Sequence, residues 1–176
     1  MTLNMTKAVL VAGLVAMVMM FVGCESKPKT WVGNIEVAPG GNLAGKLGAA
    51  TLEVDLVAVT DVEAQKWAGR DLNSYFAMGS GERADAHSKG TAYPMLFGAG
   101  NGTGAKTLVM NDKIWAEWQK RKVTQLFVVA NSAAATKSPN SFQMPLTSDR
   151  IKVRTFQIQV DSADIGNLSP IEPPKQ

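Results

Sequence analysis

From Ala8 to Cys24 the chain carries no charged residue, and this stretch governs how the rest can fold. Lys7 precedes it. Ala8–Phe21 is an unbroken run of apolar and small residues, and Phe21-Val22-Gly23-Cys24 leads into the polar Glu25-Ser26-Lys27-Pro28-Lys29. A cation, an apolar run and a small residue at a boundary are the three parts of an export signal. The run is short for a spanning helix, which needs about 20 apolar residues. It shows no polar face at helical spacing, as a helix at the edge of a cytosolic core would. The plain alternative is an ordinary secretory signal in which Cys24 is incidental. Translation from Met5 would leave a compact signal with Lys7 near its front.

A cysteine directly after the small residue resembles the lipobox of bacterial lipoproteins. That resemblance implies cleavage before Cys24, a diacylglycerol on its thiol and a further acyl chain on its new amino group. The chemistry needs a thiolate, since a serine hydroxyl is a far weaker nucleophile at neutral pH. Two or more chains give stable anchoring where one gives only reversible binding. Residue 25 is Glu rather than Asp, which by the same resemblance favours the outer membrane over retention at the inner one.

Cleavage leaves about 150 residues, the size of one ordinary domain. Cys24 is the only cysteine among 176 residues, so no intramolecular disulfide exists and the fold rests on packing. Loss of Lys7 lowers the formal charge from +3 to +2. So small an excess implies neither nucleic acid nor acidic lipid as a partner, and an extracytoplasmic location argues further against nucleic acid.

The expected organisation is a signal peptide over 1–23, a lipidated tether over 24–29, a β domain over 30–162 and a Pro-rich tail over 163–176. Thr30–Val37 reads as an opening strand and Pro39–Gly48 as a glycine-rich connection. In Leu52–Thr60, Leu52, Val54, Leu56 and Ala58 share one face while Glu53 and Asp55 share the other, as on a strand with one solvated face. From Val57 onward both faces are apolar, which implies cover on both sides. Asp61 and Asp71 are placed to cap short helical turns. Gly79–Gly90 reads as a loop, and Ala92–Phe97, holding Pro94, as an edge strand. Asp112 is an N-cap candidate for a helix over Lys113–Lys122. Val123–Ala130 is rich in branched residues and reads as a strand. Arg150–Val160 reads as a long strand whose core parity changes near Arg154–Thr155, which predicts a bulge there. Strands with one or two short inserted helices make this a mainly β chain, a β-sandwich.

No segment carries a clear catalytic pattern. Gly40–Lys46 has phosphate-loop spacing, but Leu47 stands where the magnesium-binding hydroxyl belongs. Gly98–Gly104 lacks the third glycine of a dinucleotide loop. His87 is the single histidine, so a typical zinc site lacks its nitrogen and sulfur ligands. Ser80, Asp85 and His87 form a triad only on paper, because Gly79-Ser80-Gly81 is no nucleophile elbow. The expectation is therefore no catalytic residue, no metal and no cofactor. Trp115 and Trp118 are the most conspicuous aromatic pair. Their spacing is what burial of a helix on a sheet requires; the functional alternative is an exposed aromatic anchor for a partner protein.

The order of these parts resembles the outer-membrane lipoprotein of type VI secretion systems. The residues that carry the likeness are Cys24, the strand Leu52–Thr60, Asn73-Ser74-Tyr75-Phe76 and the block Thr107–Asn131. Only Tyr75-Phe76 echoes the family's more phenylalanine-rich segment, and its partner-binding loop has no alignable counterpart here. The resemblance implies a transthyretin-like β-sandwich, anchored by acyl chains on Cys24 at the periplasmic face of the outer membrane. It also implies binding to the periplasmic domain of an inner-membrane secretion protein, with no reaction performed. Two other classes stay open: a lipoprotein binding module for a peptide, glycan or lipid, with a concave apolar pocket, and an extracytoplasmic hydrolase.

Overall fold

The alternation from Leu52 to Ala58 produces the central strand of the domain, β2 (Thr51–Val59), in a computed structural model that describes residues 28–174. The expected signal peptide and Cys24 lie outside the described residues. Preceding β2 are β1 (Asn34–Pro39) and a short helix α1 (Gly41–Ala44). Three helices follow it: α2 (Asp61–Ala68), α3 (Leu72–Phe76) and α4 (Gly81–Ser88). Then come β3 (Ala92–Gly98), β4 (Lys106–Leu108), α5 (Ile114–Lys120), β5 (Gln125–Ser132), β6 (Asn140–Pro145), β7 (Thr155–Val160) and β8 (Ile165–Asn167). Among the described residues no helix is long and apolar enough to cross a membrane.

The strands form two four-stranded sheets, ordered β4-β1-β7-β8 and β3-β2-β5-β6. Only β1 and β7 run parallel; the other pairs are antiparallel. This is the transthyretin-like sandwich that the family resemblance implies. Ile35 and Val37 of β1, Leu52, Val54 and Leu56 of β2, Val128 of β5, and Phe156 and Ile158 of β7 belong to one buried cluster between the sheets. Pro94 sits on β3, an edge strand as expected, where a missing N–H leaves no central ladder incomplete.

The opposite parity of β2 meets the helices. Val57 and Val59 join Trp67, Tyr75, Ala86, Phe127 and Val129 in a second buried cluster under α2, α3 and α4. The two-sided burial expected after Val57 is present.

Several boundaries differ from expectation. Five helices stand where one or two were expected. Gly79–Gly90 is largely α4 rather than loop. Ser80 caps it by accepting from the Arg83 N–H, and Arg83 and His87, four residues apart, face the sheet together. Pro39–Gly48, expected as a glycine-rich connection, contains α1, anchored by fully buried Leu43 and Leu47. The opening strand begins at Asn34, with Thr30 making a lone bridge to Thr147. The parity change near Arg154 involves no bulge: β7 begins only at Thr155, and Ile151 reaches the core from irregular chain before it. The segment after 163 is not simply a tail, because β8 pairs with β7 and covers its free edge.

Candidate functional site

Trp115 and Trp118, the candidate partner contacts, are core residues with 2% and 0% exposure. Asp112 orients α5 by accepting from the Ile114 N–H at 2.9 Å, although the helix itself begins at Ile114, one residue later than expected. The two indoles meet edge-to-face at 5.0 Å, and Trp31 packs edge-to-face on Trp115 at 5.8 Å. Their N–H groups donate to the carbonyls of Val109 and Gly90 at 3.0 and 2.9 Å. With rings buried and donors satisfied, neither indole is displayed as an anchor in this fold.

Asp55 departs most from its expected place. Its parity was read correctly but its surroundings were not, because the helical insertion covers that face of β2. The carboxylate is fully buried. Its Oδ2 accepts from the Tyr75 hydroxyl at 2.8 Å and from Arg83 Nε at 2.9 Å, and lies 2.9 Å from His87 Nε2. Oδ1 accepts from Arg83 Nη2 at 3.2 Å, while Arg83 also pairs with Glu53. Burial alone would raise the Asp55 pKa. Hydrogen bonds from Arg83 and Tyr75, with the Arg83 charge and the adjacent His87 ring, outweigh burial and hold it below the ordinary carboxylate value. Burial, and then the neighbouring Asp55 charge, push the Tyr75 hydroxyl upward.

This arrangement fixes two helices, α3 and α4, to a sheet and lacks the geometry of a triad. Ser80 and His87 lie at opposite ends of α4, seven residues or about 10 Å apart along the axis. Ser80 Oγ is occupied as a cap, and Asp85 pairs with Lys89 on the surface. Tyr75 and Arg83 escaped the sequence reading; the signal available was Ser80 as a cap with Arg83 and His87 at helical spacing. Among the described residues no group of three or more His, Cys, Asp or Glu is arranged to hold a metal ion.

The surface nearest Cys24 in sequence is well defined. Pro28 and Lys29 are exposed, and the chain is then pinned. Ser148 N donates to the Lys29 carbonyl at 2.9 Å, the Thr30 hydroxyl donates to the Val123 carbonyl at 2.7 Å, and Trp31 N donates to the Leu146 carbonyl at 2.9 Å. An open groove runs from Pro28–Thr30 past Asp61 and Val62 to Arg121 and Lys122. We refer to this end, which follows the expected tether in sequence, as the tether pole. The opposite pole, where β5 ends at Ser132 about 24 Å away, carries the turn at 133–139, which the Ser132 N–H ties by donating to Ser138 Oγ. Leu43, Lys137 and Asp161 line one shallow depression there.

No protein-family model matches the chain, and no curated protein matches it in sequence. Among solved structures it is similar to Lip of Serratia marcescens, described as a membrane-bound component of the type VI secretion system. Identity is 11% and the TM-score 0.46, over 82% of this chain and 99% of that one. It is also similar to the type VI secretion lipoprotein TssJ1 of Pseudomonas aeruginosa, at 15% identity and a TM-score of 0.39, over 84% of this chain and 99% of that one. Likeness of this size decides neither activity nor partner.

Proposed function

We propose that this chain is a lipoprotein anchored to the outer membrane by acyl chains on Cys24. Its sandwich tethers a type VI secretion membrane complex by binding the periplasmic domain of an inner-membrane partner. The observation that carries this reading is an order of parts. A cysteine after a small residue stands four residues before Pro28, and a transthyretin-like sandwich with its helical excursion between β2 and β3 follows. That is the layout the family resemblance implies. Glu25 after the cysteine supports the outer membrane as the destination. The polar groups of types suited to chemistry are engaged in structure, Ser80 as a cap and Asp55 as a buried clamp, which favours binding over reaction.

The test is co-purification of the mature domain with the periplasmic region of the large inner-membrane secretion component from the same bacterium. Association at micromolar concentration or tighter supports the proposal. A folded domain that shows no association at that concentration overturns the partner.

A further inference from the structure

We propose that the tether pole is itself a membrane contact, with Lys29 and Lys122 set against the phosphates of anionic lipids in the leaflet that holds the acyl chains. This rests on the reading of Cys24 as the lipidated residue. Four peptide steps separate Cys24 from Pro28, so the pole lies no more than about 14 Å from the anchor even with the chain fully extended. That is the upper bound; a tether short of full extension brings the pole within the screening length of about 8 Å at physiological ionic strength, where cations feel an anionic surface. A domain held so close must turn some face to the lipid, and the pinning of Lys29, Thr30 and Trp31 makes it this one.

The charges on this face suit the role. Of the ionic groups lining the groove, Arg121 is engaged by Glu63 at 3.0 Å and by the Ala58 carbonyl at 3.2 Å. Asp61 accepts from the Thr124 hydroxyl at 2.7 Å and from the Gln125 amide at 3.1 Å. Lys29 and Lys122 are exposed, and Val62, which lines the same groove, presents an apolar side chain at 75% exposure. Cations beside an exposed apolar group match the boundary between headgroups and acyl chains. Lys122 follows the α5 C-cap with φ 56°, a left-handed conformation that favours glycine. A lysine held there projects its charge at the pole despite the backbone preference. Lys46 and Lys137, near the far pole, serve as internal controls.

The test uses the full chain as extracted from membranes of the producing bacterium. It is reconstituted into phosphatidylcholine vesicles with or without about one third phosphatidylglycerol, a strongly anionic surface. Lysines are acylated by a membrane-impermeant reagent and quantified by mass spectrometry. On anionic vesicles Lys29 and Lys122 should react about threefold more slowly or less, an effect lost at high salt, while Lys46 and Lys137 are unchanged. Equal rates on the two vesicle types, or uniform slowing of all four lysines, overturns the contact while leaving the anchor intact. The intact mass reads the anchor separately: no acyl chains on Cys24 overturns the anchoring reading, and this proposal with it.

Discussion

The Tyr75 hydroxyl donates a 2.8 Å hydrogen bond to Oδ2 of the buried Asp55, joining α3 to the middle of β2 across 20 residues of sequence. Arg83 and His87 reach the same carboxylate from α4. One acidic side chain thus ties two of the three inserted helices to the sheet. Asp55→Asn leaves Arg83 with Glu53 alone and should destabilise the domain by about 3 kcal/mol, the lower end for breaking a buried pair. Tyr75→Phe removes a single donor and should cost about 1–2 kcal/mol. Urea unfolding of both variants beside the parent checks the order, and equal values would disprove it.

The same carboxylate makes stability depend on pH. Its folded-state pKa lies below the unfolded value, near 3.8, so its contribution is complete above about pH 5. That contribution is lost as pH falls through the folded-state pKa. Glu63 acts in the same direction. Burial opposes its charge, but the Thr60 N–H and Arg121 hold its pKa down. Unfolding free energy measured from pH 7 to pH 3 should fall at the acid end, and less steeply in Asp55→Asn. Identical slopes in parent and variant would exclude Asp55 as a source.

Trp118 is fully buried, and its N–H is satisfied by the Gly90 carbonyl. Trp118→Ala should cost about 3–5 kcal/mol, as large aromatic deletions in cores do. An exposed partner anchor would behave oppositely, losing binding with little change in stability. Thermal unfolding of the variant distinguishes the two.

Gly98 ends β3 at φ 74°, and a Cβ there would press on the carbonyls of Ala50 and Leu47. Gly98→Ala should therefore destabilise by more than about 1 kcal/mol, because both conformation and space oppose it. Gly48 has open space around its Cα and no left-handed backbone. Gly48→Ala should change stability by no more than about 0.5 kcal/mol. Denaturation midpoints of the pair provide the check.

Cys24→Ser should leave an uncleaved, unacylated precursor, because a serine hydroxyl does not supply the thiolate. Cell fractionation and intact mass test this directly. A variant that still acquires acyl chains would place the lipid on another residue.

Local pattern in the sequence carried most of the sandwich. The period-two alternation of β2, the branched run of β5 and the proline of β3 each follow from contacts within a few residues of chain. They placed the strands and the side of β2 that bears Asp55. What they could not show is what lies against that side. Glu53 and Asp55 alternate as a solvated face would, and only the packing of α3 and α4 brings Tyr75, Arg83 and His87 onto Asp55. Likewise, three-residue spacing put Trp115 and Trp118 on one side of α5, but Trp31, more than 80 residues earlier, packs on Trp115. Period and capping are short-range properties that a sequence displays. The cover of a charged face and the pole to which Lys29 and Lys122 are drawn together arise from long-range packing, which the tertiary structure alone decides.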